Sequence, residues 1–245
     1  MKLFLTWRVR LRPDPLIILF TVFTGCVLSL SAQTNPAPAP PEPVTTATAQ
    51  PAANASLHPD PFSDPFIKQI QARHEKAVYG DTKETKALTA DLEKWTKEQP
   101  TNYLLEAYLG SVYTLDSRDA WPGPGKLDFL RNGGKCLDAA VASAPDNPAV
   151  RLMRAIDYYQ LPFFFGKGKA ANDDFHYLVK QLNGEIKMPY ALEPETRQGM
   201  YYYAGLSFKH SSETPQAKDA WQRALKLAPN STMATKIQAE LEKLN

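Results

Sequence analysis

The sequence is poor in the side chains from which most catalytic and metal sites are built. It has two cysteines among 245 residues. Its four histidines are scattered along the chain: His58, His74, His176 and His210. His74-Glu75 begins like the zinc-protease motif H-E-x-x-H, but Val78 stands in place of the second histidine. Asp173 and His176 would supply two metal ligands, which is too few for a zinc site.

Phosphate-binding and nucleophile motifs are missing as well. Gly125-Lys126 and the glycines and lysines of 166–169 lack the spacing of a phosphate loop, and no Gly-x-Ser-x-Gly element occurs. Cys136 has no evident base and, beside Leu137 and Ala140 on a helix, fits a small core residue better than a reactive thiol. We therefore predict no enzymatic activity, no metal and no cofactor.

Charge of either sign is not in excess over most of the chain. The formal net charge is +2 at pH 7. The first 32 residues carry a net charge of +3, because they contain Asp14 and four basic residues: Lys2, Arg8, Arg10 and Arg12. The remaining residues include 24 basic and 25 acidic side chains. Because phosphate binding needs a clustered basic surface, this balance argues against nucleic acid as the main partner.

Residues 1–32 read as an export signal. Basic residues precede an apolar stretch, Leu16–Leu30, and Ser31-Ala32 follow it before a polar region. The fifteen residues of this stretch are short for a membrane span, which needs about twenty. Cleavage near Ser31 or Ala32 would release an exported chain, periplasmic or secreted.

Two alternatives for the N-terminus stay open. Phe23-Thr-Gly-Cys26 resembles a bacterial lipoprotein box, which would make Cys26 a lipidated N-terminus. An uncleaved anchor with its basic end in the cytoplasm is the other. Membrane contact is expected only through such an N-terminus, and each alternative places the body outside the cytoplasm.

Residues 33–60 are rich in proline and alanine and contain no Phe, Tyr or Trp. Such a segment cannot bury enough apolar area to offset the entropy lost on ordering. It is therefore predicted to be a disordered linker, extended by its prolines.

The segment from Arg197 to Ser231 carries a complete repeat pattern. Its residues resemble the tetratricopeptide (TPR) spacing W-x₂-L-G-x₂-Y, A-x₃-F and a closing proline at Tyr201, Ala204, Gly205, Phe208, Ala217, Trp221, Ala224 and Pro229. Residues three or four apart share a helix face, so these positions form two facing seams. Gly205 and Ala217 are small where the helices would approach, and Trp221 and Phe208 would fill the space around them.

Weaker copies of the pattern precede this segment. Leu109-Gly110-x₂-Tyr113 matches the first helix of a repeat, and an insertion of about eleven residues follows around 116–125 relative to the 34-residue period. After Pro229, Ser231 or Thr232 can cap a last helix with one apolar face. The fold prediction is all-α: a TPR-like solenoid of about four helical hairpins with a C-terminal capping helix, over 61–245.

Residues 75–182 also resemble a group of bacterial TPR-like proteins without an assigned activity. The resemblance lies in the runs 104–110, 118–121, 150–155 and 161–164. It implies a scaffold or adaptor that holds a protein or peptide partner in a concave groove. The positions that would line this groove form a mainly apolar strip suited to an amphipathic helix or extended peptide: Ala107, Ser111, Leu152, Ile156, Tyr159, Tyr202 and Leu206. The alternative is that these positions only pack against neighbouring repeats.

An arginine cluster suggests a second function. Arg151 and Arg154 stand where the repeat expects an aromatic residue and a leucine, and buried arginines need charged partners. In one interpretation the insertion folds back and supplies carboxylates, the candidates being Asp116, Asp119 and Asp157. In the other, Arg151 and Arg154 act with Arg118 as a receptor for a small anionic ligand.

Overall fold

Every regular element of the described chain is helical, which confirms the all-α prediction for that part. The computed structural model describes residues 60–244. Nine α-helices follow one another in this range: α1 (Pro65–Val78), α2 (Thr82–Glu98), α3 (Tyr103–Asp119), α4 (Pro124–Ser143), α5 (Pro148–Gln160), α6 (Gly168–Leu182), α7 (Pro194–His210), α8 (Thr214–Leu227) and α9 (Thr232–Glu242). Two 3₁₀ turns, Pro61–Ser63 and Phe163–Phe165, precede α1 and α6.

The predicted export signal (1–32), Cys26 and nearly all of the linker (33–60) lie outside the described residues. Within 60–244, none of the helices combines the length and the apolar character that crossing a bilayer requires.

The helix ends follow from local sequence. Asp81 caps α2 by accepting the backbone N–H of Glu84 at 3.0 Å, as an acidic residue before a helix commonly does. Ser231 caps α9 in the same way, accepting from Ala234 at 3.0 Å. Gly80 has a φ of 100° just after α1, a conformation that glycine adopts without strain. The cap at Ser231 is the one predicted for the last helix.

Consecutive helices pack against each other throughout residues 65–242. The connections after α1, α2, α3 and α4 have only three or four residues, so each helix runs antiparallel to the one before it. The predicted insertion at 116–125 is not a long loop, because α3 continues to Asp119 and α4 begins at Pro124 with a length of 20 residues. The extra residues lengthen two helices instead.

Glycines set the closest approaches within two helix pairs. A Cβ on Gly205 of α7 would lie 2.2 Å from Nε1 of Trp221 in α8. A Cβ on Gly110 of α3 would lie 2.7 Å from Cγ of Leu137 in α4 and 2.9 Å from the carbonyl oxygen of Gly133. The predicted role of Gly205 as the small residue facing Trp221 is therefore confirmed.

The odd-numbered helices also contact one another. α3 packs extensively on α5 and less extensively on α1, and the contacts of α7 with α5 and with α9 are slight. No two even-numbered helices in the described region pack on each other as α3 packs on α1 and α5. We call the side of the array on which α1, α3, α5 and α7 meet the inner face. The later helices alternate as well, because Gln181 near the end of α6 donates to Asp146 just before α5, and Ser207 near the end of α7 donates to Asn172 near the start of α6. The connections after α1, α3, α5 and α7 therefore lie at one edge.

Candidate partner-binding face

The structure places most of the predicted groove residues in the interior. Ala107, Ser111, Leu152, Ile156 and Tyr202 are buried, with 0–8% of each residue exposed. Tyr159 and Leu206 are partly exposed. All seven lie on α3, α5 and α7, the helices of the inner face. Burial leaves Tyr159 and Leu206 as the members of this strip with the most surface for a partner.

The inner face also carries a row of polar side chains from three helices. Nε2 of His74 in α1 lies 2.8 Å from Oγ of Ser111 in α3. Thr114, one turn further along α3, approaches Oδ1 of Asp157 in α5 at 3.5 Å. The ring of His74 also meets Tyr108 edge to face, with 5.5 Å between ring centroids. We call His74, Ser111, Thr114 and Asp157 the polar row.

Burial governs the protonation of the two titratable members of this row. Desolvation by burial lowers the pKa of His74 to about 4, and the positive charge of Arg118 acts in the same direction. Desolvation likewise raises the pKa of Asp157 to about 7, against hydrogen bonds from Ser111 and Thr114 that lower it. Near pH 5.5 both side chains are therefore mainly neutral.

One carboxylate oxygen of Asp157 is buried without a hydrogen bond in the described structure. Its Oδ2 is buried and has no hydrogen-bond partner among the residues that the structure describes. Because a buried, unpaired carboxylate oxygen is costly, this group favours the protonated form. This cost explains why the pKa of Asp157 is raised by burial even though the hydroxyl groups of Ser111 and Thr114 act to lower it.

The polar row has the residue types of a catalytic triad but a different order. In a Ser-His-Asp triad the carboxylate orients the histidine, which then acts as the base toward the serine. Here Asp157 is associated with the hydroxyls of Ser111 and Thr114, and His74 bonds to Ser111 from the other side. This geometry is suited to hydrogen bonding across three helices rather than to activating a nucleophile.

The three predicted arginines are not brought together. Arg118, in the last turn of α3, binds Asp119 with 2.7 and 2.9 Å contacts and donates to the carbonyl oxygens of Ala77 and Val78 at 2.8 Å each. It thereby fastens the end of α3 to the end of α1. Arg151, in the first turns of α5, lies at the opposite end of the array and has different partners.

Arg151 and Arg154 instead converge on Asp174 of α6, whose side chain is 0% exposed. Arg151 Nη1 lies 2.6 Å from Oδ1 of Asp174, and Arg154 contacts both carboxylate oxygens at 2.7 and 2.9 Å. Arg151 also covers the ring of Tyr177 at 3.8 Å from its centroid. The pairing of these arginines was expected, but the expected partners were wrong: Asp174 takes the place of Asp116, Asp119 and Asp157.

The network extends from α5 and α6 to α4. Arg154 Nη1 contacts Oδ1 of Asp138 at 3.1 Å, and Lys167 contacts the other oxygen of the same carboxylate at 3.1 Å. Lys167 also donates to the hydroxyl of Tyr158, which donates in turn to the carbonyl of Gly134. We call Arg151, Arg154, Asp174, Asp138 and Lys167 the ionic network.

The thiol of Cys136 has the character of a core residue. It is half-buried, and desolvation together with the charge of Glu106 raises its pKa to about 11. At neutral pH it stays protonated and is therefore a poor nucleophile. In the range 60–244, His, Cys, Asp and Glu side chains form no cluster of three that could hold a metal ion.

Sequence reasoning did not find the polar row, although each member was visible. Its residues are separated by 37 positions between His74 and Ser111 and by 43 between Thr114 and Asp157. Their meeting depends on the register in which α1, α3 and α5 pack, which no local spacing reveals. Comparison of the chain with protein-family models, with curated proteins and with solved structures gives no match.

Proposed function

We propose that the chain is an exported, TPR-like scaffold that binds a helix or an extended peptide of a protein partner on its inner face. The observation that carries this proposal is the unequal packing of the two helix rows. α3 packs on both α1 and α5, and no two even-numbered helices of the described region pack on one another to that extent, although α5 and α7 touch only slightly. An array whose inner row is tighter than its outer row curves around the inner row, and helical repeats use such a concave surface for binding.

The close approaches at glycine support the TPR-like part of the proposal. Gly110 against Leu137 and Gly205 against Trp221 occupy equivalent places in the second and fourth helix pairs. Both glycines fall at the position where the TPR spacing expects a small residue. Two hairpins of one design, followed by a helix with one apolar face, are what a capped solenoid requires.

The surface that the inner face offers to a partner is apolar and aromatic. Tyr159 and Leu206 provide it at α5 and α7. The hydrogen-bonding atoms of His74 and Asp157 lie within the polar row, where they are engaged or buried. An amphipathic helix would therefore set its apolar residues on Tyr159 and Leu206.

The test is partner capture by in-cell crosslinking of the full-length chain. Leu206→Asp is expected to reduce capture strongly, because it puts a charge into the centre of the inner face. Leu225→Asp in α8 is the matched control: it makes the same change at a leucine that is also partly buried, but on the outer row.

If Leu206→Asp leaves capture unchanged while the protein stays folded, the inner face is not the binding surface. Sequencing the mature N-terminus of the same samples tests export. A chain that begins near Gln33 supports signal cleavage, and a lipidated Cys26 supports the lipoprotein alternative. An intact, unmodified N-terminus of a protein found in the cytoplasm would contradict export.

A further inference from the structure

The sequence contains the dipeptide Asn-Gly twice, and the structure places the two copies in different surroundings. Asn183-Gly184 directly follows the last residue of α6, whereas Asn132-Gly133 lies in the middle of α4. Asparagine followed by glycine is the pair in which the backbone most easily attacks the side-chain amide, because glycine has no side chain to hinder the approach. The local structure then decides which copy can react.

The reaction is spontaneous deamidation, which requires only water. The backbone nitrogen of Gly184 gives up its proton to water and bonds to Cγ of Asn183, and the Cγ–Nδ2 bond breaks as Nδ2 takes up a proton and leaves as ammonia. Water then hydrolyses the resulting five-membered imide at one of its two carbonyl carbons. One product has aspartate at position 183. The other has isoaspartate, in which the main chain is longer by one methylene group.

The surroundings of Asn183 leave this reaction accessible. Gly184 is exposed and has a φ of 79°. Asn183 has a ψ of −7°, so the attack requires a rotation that brings the nitrogen of Gly184 to Cγ. The rotation disturbs bonds at the end of the helix, where Gly184 donates to the carbonyl of Gln181 at 3.1 Å and Glu185 to that of Lys180 at 2.9 Å. Such helix ends open locally at little cost in free energy.

The surroundings of Asn132 oppose the same rotation. This residue lies at least eight residues from either end of α4, so its peptide groups are held on both sides by the bonds of the helix. Gly133 is buried against α3, where a Cβ on it would lie 2.7 Å from the carbonyl oxygen of Gly110 and 3.0 Å from Cγ2 of Thr114. A backbone rotation here would break the helix and its contact with α3 together.

We infer that Asn183 is a site of spontaneous deamidation in the folded protein and that its conversion loosens the junction of α6 and α7. Oδ1 of Asn183 accepts from the hydroxyl of Tyr201 in α7 at 2.7 Å, and Nδ2 donates to Glu185 at 3.2 Å. Conversion replaces Nδ2 by a carboxylate oxygen, so the donation to Glu185 is lost and a second negative charge lies beside it.

The new charge is unfavourable for a second reason. It lies at the C-terminal end of α6, where the helix dipole disfavours negative charge. In isoaspartate the carboxylate is also on a shorter side chain, which draws it away from Tyr201. The inference concerns the connection from α6 to α7 and is independent of the proposed protein partner.

The experiment compares the two Asn-Gly pairs within one sample. The full-length chain is incubated under native conditions and, in parallel, in concentrated urea at the same pH and temperature. After a rapid digestion at low pH, mass spectrometry of the peptides measures the mass increase that the exchange of NH₂ for OH produces at positions 183 and 132. A sample digested at the start corrects for conversion during preparation.

Conversion in the native protein should be several-fold faster at position 183 than at position 132. In urea the two rates should become similar, because the dipeptides are the same and neither is held by a helix. Native conversion that is equal at the two positions or faster at 132 would overturn the inference. Conversion of position 183 in urea alone would overturn it as well.

A second measurement tests the effect on the junction of α6 and α7. Ion-exchange chromatography separates the deamidated chains by their additional negative charge, and urea denaturation should give them a lower free energy of unfolding than the unmodified chains of the same sample. Asn183→Gln keeps an amide but would have to close a larger ring, so it should stay unmodified and is the control for the separation. Equal stability of the two fractions would contradict the loosening of the junction.

Discussion

The α5–α6 and α7–α8 pairs have similar lengths but are joined by different chemistry. The α7–α8 pair is held by an apolar seam in which Trp221 packs on Gly205 and donates to the carbonyl of Tyr202 at 3.0 Å. The α5–α6 pair encloses a carboxylate, Asp174, between Arg151 and Arg154. One interface depends on shape, the other on charge compensation.

The two interfaces respond differently to the loss of one side chain. Apolar seams lose the transfer free energy of the atoms removed and gain a cavity. A buried ion pair contributes little net stability when complete, but removing one partner strands a buried charge. The ionic pair should therefore be the more sensitive to a single substitution, although it need not be the more stable.

Asp174→Ala is predicted to have the largest effect. It leaves Arg151 and Arg154, whose side chains are 14% and 16% exposed, without their shared carboxylate. Breaking a buried pair in this way costs about 3–5 kcal/mol. The free energy of unfolding, measured by urea denaturation, should fall by this amount.

The neighbouring residue provides the control for that substitution. Asp173 is 59% exposed in its side chain and pairs only with Lys169 on the surface. Asp173→Ala should change stability by about 0.5 kcal/mol or less, as exposed pairs do. Equal losses for the two variants would mean that the ionic network does not hold α5 to α6.

Asp157 is the second buried carboxylate of the α5–α6 pair, and it has no arginine. Its pKa is raised by burial to about 7 from an ordinary value of 3.8, so the folded chain holds a proton that the unfolded chain releases between pH 4 and 7. Its contribution to stability is therefore full below pH 4 and is lost as pH rises toward 7, by up to about 4 kcal/mol. Asp157→Asn should remove this loss. The free energy of unfolding of the variant should therefore increase relative to that of the native chain as pH rises.

The difference between the native chain and Asp157→Asn is the quantity to measure, because His74 acts in the opposite direction. The pKa of His74 is lowered from 6.5 to about 4, so its contribution makes stability rise with pH over that window. Urea denaturation of both proteins at pH 4.5 and 7.5 separates the two groups. A difference that does not depend on pH would show that Asp157 titrates normally.

The apolar pair could be predicted from sequence because its information is local. Gly205, Phe208, Ala217 and Trp221 fall at helical spacings within about one repeat, so their facing seams can be derived without a structure. Helix ends at Gly80 and Ser231 were predictable for the same reason, since caps depend on adjacent residues. The predicted insertion near 116–125 depends on non-local packing, and in the structure α3 and α4 extend over most of it.

The ionic network and the polar row were only partly predictable. The need of Arg151 and Arg154 for partners follows from their place in the repeat, but several carboxylates were compatible with that need. Choosing Asp174 requires the register of α5 on α6, and His74 can be placed beside Ser111 only when α1 is docked on α3. Such contacts combine residues from different helices, and no spacing within one helix specifies them.

Gly205→Ala tests whether shape alone governs the apolar pair, and its expected effect is the smallest. Alanine favours a helix over glycine by about 0.5–1 kcal/mol, but here its Cβ would lie 2.2–2.6 Å from the rigid indole of Trp221. Overpacking should prevail, with a net loss of about 1–3 kcal/mol in urea denaturation. Gly125→Ala in α4, where nothing lies within 4 Å of the new Cβ, should be neutral or stabilising.

A double-mutant cycle tests whether the clash involves the indole ring alone. Trp221→Leu removes that ring, so it should cost less stability in the Gly205→Ala variant than in the native chain. Additive losses would mean that the two helices can move apart, and that the close approach does not fix their distance.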